Sequence, residues 1–127
     1  SKDELFATAD IVSIHLILSK RTRGLITAED LARMKPTSYL VNAARGPIVD
    51  EAALLDVLQR KKIAGAGLDT FSVEPLPVDH PLRKLDNVVL TPHIGGHTVE
   101  SHIAMQDCTL ANLDAFFSGK PLRYPVA

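Results

Sequence analysis

The sequence contains very little cysteine, few aromatic residues and no excess of charge of either sign. Its single cysteine, Cys108, cannot form a disulfide within the chain, which fits a reducing, cytoplasmic setting. Tryptophan is absent, aromatic residues make up 5% of the chain, and 14 basic residues face 15 acidic ones for a net charge of −1. Because no basic stripe or interleaving of aromatic and basic residues is present, nucleic-acid binding has little support.

Long hydrophobic runs are also missing. The longest near-continuous apolar run, residues 11–18, is interrupted by Ser13 and His15. It is far shorter than the roughly 20 apolar residues that a membrane-spanning helix needs, and residues 1–4 do not have the layout of a signal peptide. With 127 residues and a hydrophobic fraction of 46%, the chain has the composition of an ordinary globular domain without membrane association.

Short apolar runs alternate along the chain with amphipathic segments. The runs that predict strands are residues 11–17, 38–44, 63–68 and 87–91. The first is nearly continuous, so we expect it to be buried on both faces. Helices are predicted after Thr27 and Asp50, with a short turn of helix at Pro81, and Thr98 begins a longer helix. Strands joined by crossover helices pair in parallel, which predicts an α/β fold with part of an open, doubly wound sheet.

The last predicted helix is the longest. It carries Ile103, Leu110, Leu113 and Phe117 at helical spacing, and Gly119 lies just past its end. Because an apolar stripe on a helix needs a partner, we expect a homo-oligomer that forms through this helix, or a helix swapped between copies of the chain.

Ligands of such sheets bind beyond the carboxyl ends of the strands, so the residues that follow each strand are candidates for a site. Arg45 follows the second strand, Asp69 and Glu74 follow the third, and His93 follows the fourth. Taken singly, each has an ordinary explanation, such as a surface ion pair, a solvated loop or a capping histidine. Taken together, an arginine that holds a carboxylate, a histidine that exchanges a proton and a carboxylate that fixes its tautomer favour oxidation of a hydroxy acid.

Three segments resemble, in the same order, blocks of the D-isomer-specific 2-hydroxyacid dehydrogenases. They are MKPTSYLVNAARGPIVDE (residues 34–51), GLDTFSVEP (67–75) and NVVLTPHIGG (87–96). Residues 74–82 are most similar to the phosphoglycerate-dehydrogenase-like branch. The resemblance implies the C-terminal half of a Rossmann-like parallel sheet with about four strands, crossover helices and a long C-terminal helix.

The resemblance also implies a role for each site residue. Arg45 would bind the substrate carboxylate and polarise the 2-oxo group, and His93 would be the general acid in reduction and the base in oxidation. Glu74 would pair with His93, and Asp69 would contact the nicotinamide end of an NAD or NADP cofactor. The implied cofactor-binding residues are Leu16, Ala43, Ala44, Arg45, Asp69, His93, Ile94, Gly95 and Gly96. No metal is implied.

The dinucleotide-binding fingerprint G-x-G-x-x-G is missing. Its closest match, residues 65–70, lies within a predicted strand and has Thr70 in the place of the third glycine. We therefore expect residues 1–97 to be a partial NAD-binding domain. Residues 98–127 would form the long helix and a tail that leads back towards a substrate domain outside this chain. The parent would transfer a hydride between the cofactor and a small D-2-hydroxy or 2-oxo acid, and the chain alone would be nearly inactive.

Two other functions are compatible with the same fold. One is a non-catalytic nucleotide sensor or corepressor, which loss of Arg45, Glu74 or His93 would have favoured; all three are present. The other is an interaction module that dimerises through the long helix, which would be favoured if the chain bound no nucleotide.

Overall fold

The computed structural model describes residues 1–125, which contain four short parallel strands and their connecting helices. In chain order the elements are α1 (Lys2–Thr8), β1 (Ile11–Ile14), α2 (Ala28–Arg33), β2 (Tyr39–Asn42), α3 (Glu51–Gln59), β3 (Gly65–Leu68), β4 (Val88–Leu90) and α4 (Val99–Phe117), with 3-10 turns at Gly46–Ile48 and Pro81–Lys84. The strands lie in the order β1-β2-β3-β4, and every neighbouring pair is parallel. The predicted α/β fold is therefore confirmed.

Three helices begin where the sequence predicts, because a polar side chain caps each one. The side chains of Thr27, Asp50 and Thr98 accept hydrogen bonds from backbone N–H groups in the first turns of α2, α3 and α4. Each cap satisfies a donor that the start of a helix leaves without a partner. Helix α2 ends at Arg33, shortly before Pro36, which lacks the N–H group that would continue it.

The core lies on one face of the sheet. The helices α1, α2 and α3 contribute Phe6, Leu31, Leu54 and Leu58 to this core. The strands contribute alternate residues, namely Val12, Ile14, Leu40, Ala66 and Leu68. On β1 the intervening residues Ile11 and Ser13 are exposed, and Ile11 is 63% accessible. The prediction that this strand is buried on both faces is therefore wrong for the described residues, since these helices cover only one face of the sheet.

The chain divides into two compact units, Ser1–Gly95 and Gly96–Ala127. The second unit contains the predicted long helix, α4, whose apolar residues are mostly exposed: Ile103, Leu110, Leu113 and Phe117. The side chain of Asn112, within α4, exchanges two hydrogen bonds with the backbone of Tyr124, which follows the helix. Among the described residues, no helix combines the length and the apolarity that crossing a membrane requires. Oligomerisation through α4 stays a prediction.

Candidate active site

The candidate site residues lie along the carboxyl edge of the sheet. The last residues of β2, β3 and β4 are Asn42, Leu68 and Leu90, and the sheet register places them side by side. The chain leaves all three strands at the same edge, so the loops that carry Arg45, Glu74 and His93 begin next to one another. Asp69, directly after β3, lies between the other two loops. The structure thus places Arg45, Glu74 and His93 on neighbouring loops.

Glu74 and His93 form a hydrogen-bonded pair. A Glu74 carboxylate oxygen, Oε2, lies 2.7 Å from Nδ1 of His93, and the other oxygen accepts the backbone N–H of Phe71 at 2.8 Å. Because the carboxylate accepts the Nδ1 proton, Nε2 is left to exchange protons, and no described residue bonds to it. The side chains are 43% and 33% accessible for His93 and Glu74, so the pair is reachable from solvent.

Glu74 is held in its ionised form. Burial alone would raise the pKa of its carboxyl group. The hydrogen bonds from His93 and Phe71, together with the positive charges of His93 and Arg45, outweigh burial and lower the pKa below its ordinary value. The carboxylate is therefore charged at neutral pH and can stabilise a protonated imidazole.

His93 has a backbone conformation that few residues other than glycine adopt. Its φ is 56°, in the left-handed region. The carboxylate of Asp69 holds the chain on both sides of it: Oδ1 accepts the hydroxyl of Thr91 and the N–H of Ile94 at 2.9 Å, and Oδ2 accepts the N–H of Gly95 at 2.7 Å. Asp69 is only 7% accessible. We call these three hydrogen bonds the Asp69 clasp, because they fix the strained loop that carries the imidazole.

Substituting Asp69 with asparagine should weaken the clasp. Burial raises the pKa of this carboxyl group, but the hydrogen bonds from Thr91, Ile94 and Gly95 and the charge of His93 lower it overall. A lowered pKa means that the clasp stabilises the fold at pH values above the ordinary Asp pKa of about 3.9. That stabilisation is lost as the pH falls through the folded-state pKa.

We therefore expect Asp69→Asn to reduce the free energy of unfolding by about 1–3 kcal/mol at neutral pH, because charge-assisted hydrogen bonds are lost. The difference from the wild type should shrink at acid pH. Urea denaturation at both pH values measures this. Asp86→Asn is the matched control, since it removes only an exposed ion pair with Lys61. Equal losses from the two substitutions would contradict the clasp.

Arg45 lies on a loop that a buried asparagine organises. The amide of Asn42 donates to the carbonyl oxygen of Arg45 at 3.0 Å and accepts the N–H of Ala44 at 3.1 Å. The guanidinium itself is exposed and donates to the carbonyl oxygen of Ala44 at 2.6 Å. Its remaining N–H groups have no partner among the described residues, so they can bind a carboxylate in the forked geometry typical of arginine.

Two residues that the sequence analysis did not single out support the loop that carries Glu74. Glu51, in the first turn of α3, accepts the N–H of Ser72 at 3.1 Å. Gly46 packs its Cα directly against the backbone of Phe71 and Ser72. Neither contact follows from a motif or a spacing. Asn42 and Thr91 were also missed, although a polar residue at the end of a buried strand is a signal that could have identified them.

The implied cofactor-binding residues of the first unit lie at the same carboxyl edge. Leu16, Ala43, Ile94 and Gly95 are exposed there, and Ala44 is partly buried. Gly96 is exposed and is the first residue of the second unit. Exposed apolar side chains beside small residues fit a flat ring such as nicotinamide, because the small residues let a ligand approach the backbone. Among the described residues, no three His, Cys, Asp or Glu side chains form a group that could hold a metal ion.

The fold and this edge define an α/β domain of the Rossmann-like, nucleotide-binding class, with an arginine, a carboxylate and a histidine on neighbouring loops. Residues 1–95 match the family model described as the D-isomer specific 2-hydroxyacid dehydrogenase, NAD binding domain. The chain belongs to this family, as the three sequence blocks predicted. In agreement with that reading, the apparent fingerprint at residues 65–70 includes strand β3 and is not a phosphate-binding loop.

Individual relatives cover the chain almost completely. It is 51% identical over 118 residues to a glyoxylate reductase of Thermofilum pendens, an alignment that spans 93% of this chain and 35% of the relative. The crystal structure of the TT0316 protein from Thermus thermophilus superposes on all of this chain and 40% of its own, with a TM-score of 0.93 and 42% identity. The structure of D-lactate dehydrogenase with NAD+ from Lactobacillus jensenii covers 98% of this chain and 42% of its own, with a TM-score of 0.85 and 35% identity. The chain thus spans about a third of the length of its curated relatives.

Proposed function

We propose that this chain is part of an enzyme, the parent enzyme, that interconverts small D-2-hydroxy acids and 2-oxo acids with a nicotinamide cofactor. The observation that carries the proposal is the Glu74–His93 pair, with its 2.7 Å hydrogen bond, on the same sheet edge as Arg45. This arrangement supplies one group for each task in the reaction: binding a carboxylate, moving a proton and stabilising the charge on the histidine.

In the reduction direction, the guanidinium of Arg45 binds the substrate carboxylate and draws electron density from the neighbouring 2-oxo group. Nε2 of the protonated His93 gives its proton to the oxygen of that group, which becomes the hydroxyl. Glu74 stabilises the imidazolium before the transfer and keeps the Nδ1 proton in place after it. In oxidation, Nε2 takes the hydroxyl proton back.

A bound nicotinamide dinucleotide supplies the hydride in reduction and accepts it in oxidation. We propose that Leu16, Ala43, Ala44, Ile94, Gly95 and Gly96 hold it, with Asp69, Arg45 and His93 at its nicotinamide end. The D-lactate dehydrogenase with NAD+ supports NAD as the cofactor, with NADP as the alternative. The single cysteine supports a cytoplasmic location. The exposed apolar side chains of α4 support a homo-oligomer.

The test is turnover by the whole parent enzyme. Purified protein is assayed with NADH and with NADPH against a panel of 2-oxo acids that begins with glyoxylate and pyruvate. We expect reduction of at least one acid, and oxidation of the corresponding D-hydroxy acid but not its L isomer. If the protein binds the cofactor yet reduces none of the acids, a nucleotide sensor becomes the better interpretation.

Arg45→Lys tests the carboxylate-binding role in the same assay. Lysine keeps the positive charge but loses the planar fork, so we expect KM for the 2-oxo acid to rise by about tenfold or more. Lys62→Ala is the control, because this exposed cation lies beyond the amino end of β3, away from the carboxyl edge. An unchanged KM in Arg45→Lys would mean that Arg45 does not bind the substrate carboxylate.

A further inference from the structure

A cavity of about 550 Å³ lies beside the Glu74–His93 pair. Both members of the pair contribute to its wall, so it opens next to the imidazole that moves the proton. Cavities of this size hold small organic ligands in other proteins. In glyoxylate, the third substituent on the carbon that is reduced is only a hydrogen atom, which requires far less space than this cavity offers.

The cavity wall is mainly carbon. Phe71, Leu76, Leu90 and Pro92 line it, and Leu90 is the last residue of strand β4. Phe71 and Leu76 also belong to the hydrophobic core, so the surrounding fold fixes their positions. When an apolar group enters such a cavity, the surface of the group and the surface of the wall are both removed from contact with water, which favours binding.

Apart from Nε2 of His93, the polar side chains in the wall each make at least one hydrogen bond. Arg83 donates from Nε to the carbonyl oxygen of Pro77 at 2.9 Å and from Nη2 to that of Leu76 at 2.7 Å. The carboxylate of Glu74 bonds to His93 and Phe71, and the hydroxyl of Thr91 bonds to Asp69. A polar ligand group would have to compete with these bonds, whereas an apolar group would not. Arg83 thus contributes to the shape of the wall through its anchoring bonds.

We infer that this cavity receives the side chain of the 2-oxo acid, and that the parent enzyme prefers acids with a branched aliphatic side chain. The inference rests on the proposed function, which places the 2-oxo group at Nε2 of His93 and the carboxylate at Arg45. The carbon between them has one further substituent, and the cavity that His93 helps to line is a space in the described chain large enough to hold it. Glyoxylate would leave the cavity without an apolar occupant.

A substrate series tests the preference. The parent enzyme is assayed with glyoxylate, pyruvate, 2-oxobutyrate and 4-methyl-2-oxopentanoate at saturating cofactor. Each buried methylene should raise kcat/KM by up to about fourfold, so the branched acid should exceed glyoxylate by about tenfold or more. Calorimetric titration of the same acids in the presence of oxidised cofactor, where no turnover takes place, should give the same order of affinities.

Filling the cavity tests its location. Leu90→Phe places a ring in the wall and should lower kcat/KM for 4-methyl-2-oxopentanoate by about tenfold while leaving glyoxylate within about twofold. The matched control is Val89→Phe, one residue earlier on the same strand. Val89 is 68% accessible and lies on the opposite face of the strand from Leu90. It should leave the order of the acids unchanged.

The outcomes separate the inference from the proposed function. If glyoxylate is reduced but longer acids show no gain, or if Leu90→Phe affects all acids equally, the cavity is not the side-chain pocket although the proposed function stands. If no acid is reduced, both fail. Glyoxylate turnover also reports whether Leu90→Phe is folded, and if that variant does not fold, the wild-type series decides alone.

Discussion

Replacing His93 with alanine is expected to lower kcat/KM of the parent enzyme by about 10²–10⁴-fold for its best 2-oxo acid. In the proposed mechanism Nε2 of His93 moves the proton, and His93 bonds to its carboxylate at 2.7 Å, whereas His80 lies 3.7 Å from Glu51. The binding of cofactor, measured by fluorescence, should change far less than the rate. His102→Ala, at an exposed position of helix α4, is the control and should leave the rate unchanged.

Glu74→Gln should extend that result to the pH dependence. Glutamine can still hydrogen-bond to Nδ1 but cannot stabilise the imidazolium by charge, so we expect a smaller loss of rate than in His93→Ala. Because the folded-state pKa of Glu74 is lowered, the wild-type pair persists at neutral pH. The pair is lost as the pH falls through this lowered pKa, which lies below the ordinary Glu pKa of about 4.3. The corresponding acid limb of the rate profile should be absent in Glu74→Gln.

A His93→Ala enzyme within about tenfold of the wild type would contradict the acid–base assignment.

The sequence predicted the fold well where a local pattern has one physical solution. Thr27, Asp50 and Thr98 cap the helices that they were expected to cap. Apolar runs separated by crossover helices have few arrangements other than a parallel sheet. The burial of β1 could not be predicted in the same way, because a continuous apolar run does not reveal whether helices cover one face of its sheet or both. In the described chain they cover one, and Ile11 is exposed.

The candidate site was predictable to the extent that strand ends define it. Arg45, Glu74 and His93 were expected at one edge, and the structure pairs Glu74 with His93 there. The supporting contacts were not predictable, since they depend on loop conformations that have no periodicity. The left-handed backbone of His93 and the three hydrogen bonds of the Asp69 clasp belong to this class. So does the contact of Gly46 with a neighbouring loop, which the absence of a side chain makes possible.

Gly46→Ala should therefore have the largest effect on the fold of the site. A Cβ atom at this buried position would lie 2.1 Å from the carbonyl carbon of Phe71 and 2.5 Å from the nitrogen of Ser72. Both are backbone atoms in the segment that leads to Glu74, so a side-chain rotation cannot relieve the clash. We expect the free energy of unfolding to fall by about 3 kcal/mol, at the upper end of the usual cost of overpacking. The displaced segment should also carry Glu74 away from His93, so kcat should fall in the molecules that remain folded.

Gly67→Ala is the matched control, because it makes the same chemical change on β3, one strand away from β2 and its Arg45 loop. There the nearest atom to the added Cβ would be a side-chain carbon of Val41, at 3.9 Å, which is an ordinary contact. This substitution should leave stability unchanged or raise it by a few tenths of a kcal/mol, since alanine restricts the unfolded chain more than glycine does. Urea denaturation and the turnover assay measure both variants. If Gly46→Ala unfolds at the same denaturant concentration as Gly67→Ala and retains full turnover, the close packing of the two loops is not what holds Glu74 in place.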